Sequence, residues 1–317
     1  MAWIIKDRNI LSERTLHTDR LDVHYYEAGK DDGFPVILLH EELANARWWS
    51  GMQQIFPFRY HTYAPDLRSH GGSVGDPNIR ATLQDYSDDV LTFARALGLT
   101  EFFVVGWGIG GIIAMKFMQD HPESLLGVAF INAMLPEVGK HNPYADAKFR
   151  RLARFLYDRN ANDAGRILRE NFFFDGNYPI GNLKSDGSLH GTGDHVDADV
   201  FEYLLEGSLG QHGNTGDQNH ELYQSIQGMD APAIVHDFPK PILVLFSRDD
   251  AIVERKYSAE LVAATNPDGD YRREQFEMIL IGHSPMVEEL DAFADNLAGW
   301  LGRFTTDQIK YSPSALS

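Results

Sequence analysis

Apolar positions along this chain fall into two textures. Short unbroken runs, rich in Val, Ile, Leu and Phe, occur at residues 35–39, 60–65, 102–105, 125–132, 241–246 and 276–281. Runs of that length and composition predict strands buried on both faces, as in a largely parallel sheet. The second texture is the 3.6-residue periodicity of amphipathic helices, clearest at 288–304 near the C-terminus. Between the fourth run and the fifth lie about a hundred residues, 135–238, in which helical spacing recurs at 144–157, 161–173, 200–209 and 220–227, while 175–195 is rich in Gly, Asn, Asp and Ser. The alternation of buried strands with helices predicts an α/β fold carrying a helical insertion. The last residues, 307–317, read as a loose tail.

One junction is unusual. The run Phe102-Phe103-Val104-Val105 passes through Gly106-Trp107-Gly108-Ile109-Gly110-Gly111 into the apolar helix that begins Ile112-Ile113-Ala114-Met115. A strand, a glycine corner and a helix form the setting of the Gly-x-Ser-x-Gly nucleophile elbow, except that Gly108 stands at the serine position. The same residues satisfy Gly-x-Gly-x-x-Gly through Gly106, Gly108 and Gly111, the pattern that cradles a dinucleotide after the first strand of its fold. That reading also needs an acid about 20 residues on, at the end of the next strand. Here that strand ends Ile131-Asn132-Ala133 and the next acid is Glu137, so no cofactor is expected.

The remaining loops strengthen the first reading. Leu38-Leu39-His40-Glu41-Glu42 leads to Trp48-Trp49, Asp66-Leu67-Arg68-Ser69-His70-Gly71-Gly72-Ser73 follows the second run, Ser247-Arg248-Asp249-Asp250 closes the fifth, and Ile281-Gly282-His283-Ser284-Pro285 closes the last. Together these resemble the oxyanion loop, the Asp-x-x-Gly-x-Gly-x-Ser loop, the acid and the histidine of the lid-bearing, esterase- or lactonase-like α/β-hydrolases, in the chain order of that fold. The resemblance covers roughly residues 15–135 and 236–303. It implies an α/β-hydrolase fold: a mostly parallel eight-stranded sheet flanked by helices, with a core of residues 1–134 and 239–317 and a helical lid at 135–238. Aromatics of that lid (Phe149, Phe155, Phe172, Phe173, Phe174, Tyr178 and Tyr203) either line a pocket for a bulky substrate or pack lid on core.

The resemblance also assigns candidate roles. Gly108 marks the nucleophile position, His283 is the base and Asp250 its orienting acid, with Asp249 as rival and Asn132 a more distant one. The backbone N–H groups of Glu42 and Ile109 are the expected oxyanion donors, and His40, Glu41 and Trp107 are expected at the substrate. Two departures bear on activity. Gly108 offers no side chain to attack with, and loss of a triad nucleophile costs on the order of 10⁶ in turnover. A carboxylate at Glu41 or Glu42 would repel an oxyanion forming beside it.

Three accounts follow. The first is a serine hydrolase of bulky small-molecule esters, lactones or related carbonyl compounds whose serine has been replaced by Gly108. The second is a natural lyase, isomerase or cofactor-free oxygenase using His283 and Asp250 as a general base, with Glu41 or Glu42 as second acid/base. The third is a binding protein without catalysis.

Composition narrows the partners. A charge of -18 over 317 residues disfavours nucleic acid and anionic membranes. No apolar run approaches the ~18 residues of a membrane span. The start, Met1-Ala2-Trp3-Ile4-Ile5-Lys6-Asp7, does not read as a signal peptide. The absence of cysteine removes thiolate chemistry and disulfides, which fits a cytoplasmic enzyme. A small-molecule substrate is expected, no metal is implied, and a homodimer is left open.

Overall fold

A computed structural model describes residues 11–74, 81–136, 161–174, 196–208, 220–265 and 269–305. Eight strands form one sheet: β1 (Leu11–His17), β2 (Asp22–Ala28), β3 (Phe34–Leu39), β4 (Tyr60–Pro65), β5 (Phe102–Trp107), β6 (Leu125–Ile131), β7 (Ile242–Ser247) and β8 (Arg273–Met278). Their spatial order is β1-β2-β4-β3-β5-β6-β7-β8. β2 is antiparallel to both its neighbours, and every later pair is parallel. The helices of the described residues are α1 (Ser50–Ile55), α2 (Leu83–Ala96), α3 (Ile109–Asp120), α4 (Ala161–Phe172), α5 (Ala198–Ser208), α6 (His220–Gln227), α7 (Ala231–Asp237), α8 (Arg255–Thr265), α9 (Pro285–Glu288) and α10 (Leu290–Phe304).

The buried runs sit where continuous apolarity demands. β4, β5 and β7 are buried along their whole length, β3 and β6 at all but one position each, and helices cover the sheet. α1 packs with α10, while α2, α3, α7 and α8 touch in sequence. The edge strand β8 is less buried and begins earlier than its apolar run, because pairing with β7 matches Ile242 to Arg273 and Ser247 to Met278. Ile279 and Leu280, expected in the last strand, lie beyond it and are exposed, Leu280 at φ +59°. The C-terminal helix likewise starts at Leu290 rather than 288, since the short α9 precedes it.

The insertion helices at 161–173, 200–209 and 220–227 appear as α4, α5 and α6 within a residue or two. The helix expected at 144–157, the polar stretch 175–195 and the tail 307–317 lie outside the described residues. α4 packs on α5, α5 on the turn at 46–49, and α6 on α2. These contacts bring α4 and α6 to the C-terminal ends of the central strands.

Candidate active site

At the corner after β5, Gly108 adopts φ 55°, ψ −115°, a conformation that strains any residue with a Cβ. The flanking glycines are required by close packing. A Cβ on Gly106 would lie 2.4 Å from the carbonyl oxygen of Gly110, and one on Gly110 would lie 2.4 Å from that of Leu39. The corner therefore belongs to a helix pressed against β3 and β5. It follows the fifth strand rather than the first, which removes the dinucleotide reading.

Across the corner stands His283, fully buried. Its Nδ1 is 2.7 Å from Asp250 Oδ2, and Asp250 is itself aimed by the N–H groups of Ile252 (2.8 Å) and Val253 (2.9 Å), which donate to Oδ1. The rivals are engaged elsewhere. Asp249 accepts from the Leu280 N–H at 2.9 Å, and Asn132 donates to the carbonyls of Gly282 and His283 and accepts from the Ser247 N–H. Burial works against a charged imidazole, but the negative charge and hydrogen bond of Asp250, joined by Glu41, outweigh it and push His283 up to about 9. The ring is an imidazolium at neutral pH.

Glu41 supplies the second contact. Its Oε1 accepts the Glu42 N–H at 2.7 Å, its Oε2 accepts the Ile109 N–H at 3.0 Å, and Oε2 lies 3.3 Å from His283 Nε2. Both backbone groups expected to hold an oxyanion thus donate to a carboxylate of the chain itself, which is fully buried. Glu41 faces inward, its two oxygens set against two amide dipoles and the His283 ring.

His40 supports this loop and offers neither nitrogen to a substrate, contrary to expectation. Its Nε2 accepts the Leu67 N–H at 2.9 Å, so Nδ1 bears the proton and donates to the Glu41 carbonyl at 2.7 Å. Burial, with His70 nearby, pulls its pKa down to about 3, so the ring is neutral. Trp107 is likewise committed: its indole N–H donates to the His283 carbonyl at 2.7 Å.

Two residues that sequence reasoning missed, Tyr223 and Glu288, and one it offered as a lid aromatic, Phe172, complete the surroundings. Tyr223 on α6 donates to Glu42 Oε2 at 2.5 Å. Phe172, at the end of α4, accepts the His283 N–H at 2.9 Å through its carbonyl and sets its ring edge-on to the imidazole, centroids 5.2 Å apart. Glu288 binds backbone on both sides of His283. Trp48, Trp107, Phe172 and Phe173 form a buried aromatic wall around this point, with Phe173 stacked on Trp48 at 6.0 Å. Of the other aromatics expected at a pocket, Tyr203 lies under the Arg47 guanidinium at 4.9 Å, Phe174 is half-buried, and Phe149, Phe155 and Tyr178 lie outside the described residues. Among the described residues no group of three or more His, Asp or Glu side chains is placed to hold a metal ion.

A family model described as the alpha/beta hydrolase fold matches residues 35–290. The chain belongs to the α/β-hydrolase family. The curated relatives it resembles are named as a carboxylesterase, carbamate hydrolases and dehalogenases. A protein of Bacillus subtilis named as an uncharacterized carboxylesterase is 27% identical over 109 residues, 34% of this chain and 36% of the relative, so the chain spans about a third of the length of that protein. A protein of Serratia proteamaculans named as a carbamate hydrolase is 24% identical over 294 residues, covering 91% of this α/β-hydrolase and 100% of the relative. Among solved structures, an esterase of Thermogutta terrifontis superposes with a TM-score of 0.69 at 17% identity, covering 93% of this chain and 100% of that one. At that identity the likeness speaks for the fold.

Proposed function

We propose that this α/β-hydrolase cleaves a small-molecule ester, lactone or related carbonyl compound by direct attack of water, with His283 and Glu41 as an acid–base pair and Asp250 orienting the imidazole. The observation that carries this reading is the Glu41 carboxylate, held by the Glu42 and Ile109 N–H groups and 3.3 Å from His283 Nε2. A serine hydrolase needs those two amides for its oxyanion. Here a side chain of the same chain engages them, and position 108 has no nucleophile.

The pair holds one proton. Passed from the imidazolium to Glu41, it leaves His283 neutral and Glu41 a carboxylic acid. His283 then takes a proton from the water whose oxygen bonds to the carbonyl carbon, and Glu41 gives its proton to the leaving oxygen as the acyl C–O bond breaks. The products are an acid and an alcohol, and the pair ends as it began, with His283 protonated and Glu41 ionised. No covalent intermediate forms. Relatives named as a carboxylesterase and a carbamate hydrolase support the choice of a carbonyl substrate.

A second reading draws on the corner itself. Gly108 keeps the left-handed φ 55°, ψ −115° of an elbow, although a glycine has no side chain to present. That supports a serine hydrolase whose serine at 108 has been replaced, in which Gly108→Ser restores turnover. The acid–base reading expects the reverse: Gly108→Ser alone gains nothing, and serine chemistry needs Gly108→Ser together with Glu41→Gly, which clears the amides. Rates on a panel of aryl esters and lactones separate the two. In the same assay His283→Ala is expected to lose about 10²-fold or more. A burst of alcohol in the unmodified protein would overturn the single-step mechanism. Tight binding of the panel without turnover would leave a binding protein.

A further inference from the structure

The imidazole of His283 is set by Asp250 and Glu41, but its backbone is set by another carboxylate. Glu288, at the end of α9, accepts the N–H of Gly282 (3.1 Å to Oε1, 3.0 Å to Oε2), of Ser284 (3.2 Å to Oε1) and of Phe174 (2.7 Å to Oε2). The first two donors flank His283 in sequence. The third belongs to the chain just past α4, where the Phe172 carbonyl in turn accepts the His283 N–H (2.9 Å) and the Ser284 hydroxyl (3.0 Å). Gly282 is pressed so closely on this strap that a Cβ there would come within 2.5 Å of the Phe173 carbonyl carbon and 2.6 Å of the Phe174 nitrogen.

An acid that accepts the first N–H of a short helix is an ordinary cap, and the Ser284 contact alone would be no more than that. The Phe174 contact is different, because it reaches 114 residues away in sequence to an element that covers the imidazole. His283 and Glu41 are both fully buried, so a substrate reaches them only when a covering element moves. The strap at Phe172, Phe173 and Phe174 lays a ring against His283 and is joined to the histidine loop by hydrogen bonds that one carboxylate gathers.

We propose that Glu288 is a positioning residue that latches the strap to the histidine loop, holding His283 against Asp250 and Glu41 while closed and admitting substrate when released. This rests on the reading of His283 as the reacting base. Replacing Glu288 by Gln retains size but substitutes an amide nitrogen, which cannot accept an N–H, for one of the two oxygens. The loop and strap then part more often, and the imidazole loosens from its two carboxylates.

Two substrate-free measurements on the full chain test this. In Glu288→Gln the NMR titration of the His283 ring is expected to fall by about one unit or more toward the ordinary histidine value, since contact with Asp250 and Glu41 is what raises it. Ethoxycarbonylation of the His283 ring nitrogen by diethyl pyrocarbonate, followed by peptide mass spectrometry at a pH where both proteins carry neutral ring, is expected to speed up about tenfold as the strap opens. Glu289→Gln, an exposed neighbour, should change neither. Should Glu288→Gln fail to fold, Phe174→Pro removes the strap's N–H donor along with a half-buried ring and should raise the modification rate in the same way, whereas Phe174→Ala, which removes the ring and keeps the N–H, should raise it less. A folded Glu288→Gln, or Phe174→Pro in its place, with unchanged modification overturns the latch. An unchanged titration in Glu288→Gln overturns the positioning role. Neither result depends on turnover, so the latch and the acid–base reading fail separately.

Discussion

Two amides that would serve a transient oxyanion are here held by Glu41, and everything distinctive about the site follows from where single carboxylates go. Glu41 turns onto the amides, while Glu42, one residue on, turns the other way to Tyr223. The phenol is one donor to a carboxylate that is fully buried. Tyr223→Phe should therefore cost about 1–3 kcal/mol, read as a lower urea midpoint with an unchanged slope. It should also lower the rate, because the Glu42 N–H that holds Glu41 belongs to the same residue. His283 and Asp250 were candidates in the sequence because each lies in a loop a few residues past an apolar run; the structure places Asp250 three residues beyond the end of β7 and His283 five beyond the end of β8, with Oδ2 and Nδ1 2.7 Å apart. The choice of Asp250 over Asp249 was not legible there, since it turns on which carboxylate the next two amides collect. Nor was the inward turn of Glu41, a rotamer set by amides on two separate loops. Tyr223 had no signal at all, being an ordinary helix residue 181 positions from its partner.

At the scale of elements the corner is the point that calls for glycine. With φ 55° and ψ −115°, Gly108 accepts at no cost a conformation that any side chain would resist, so Gly108→Ala should destabilise the fold by about 1–3 kcal/mol by urea unfolding, with the far-ultraviolet circular dichroism unchanged. A midpoint equal to the parent would mean the corner relaxes. The central strands were readable from continuous apolarity because helices cover both their faces. β8 was misplaced by three residues because its position follows from pairing with β7 and not from its own apolar residues, two of which hang exposed past its end. The insertion helices were found by periodicity, but their docking onto His283 and Glu42 follows from tertiary contacts that no local pattern encodes.

For the whole molecule, buried histidines shape stability against pH. His283 rises from an ordinary 6.5 to about 9 on folding, so its contribution is complete below about 6.5 and is lost as the pH climbs through 9. His40 runs the other way: held near 3, it penalises folding as the pH falls from 6.5 towards 3, where the unfolded chain takes up a proton that the folded chain refuses. The difference in unfolding free energy between the unmodified protein and His283→Gln should be flat below pH 6.5 and shrink towards pH 9. A difference that grows over that interval would contradict an imidazolium between Asp250 and Glu41. The charge of -18 was legible from composition and bears on solubility, and among the described residues no helix is long and apolar enough to cross a membrane.

The central claim is that Glu41 and His283 act as an acid–base pair on water and substrate with no nucleophile at 108, and the most direct test is kcat/KM of Glu41→Gln beside the unmodified protein on aryl esters and lactones at neutral pH. The account predicts turnover by the unmodified protein and a loss of about 10²-fold or more in Glu41→Gln, carried by kcat with KM little changed. Equal or faster hydrolysis by Glu41→Gln would contradict it, by making the carboxylate an obstruction over a latent oxyanion site.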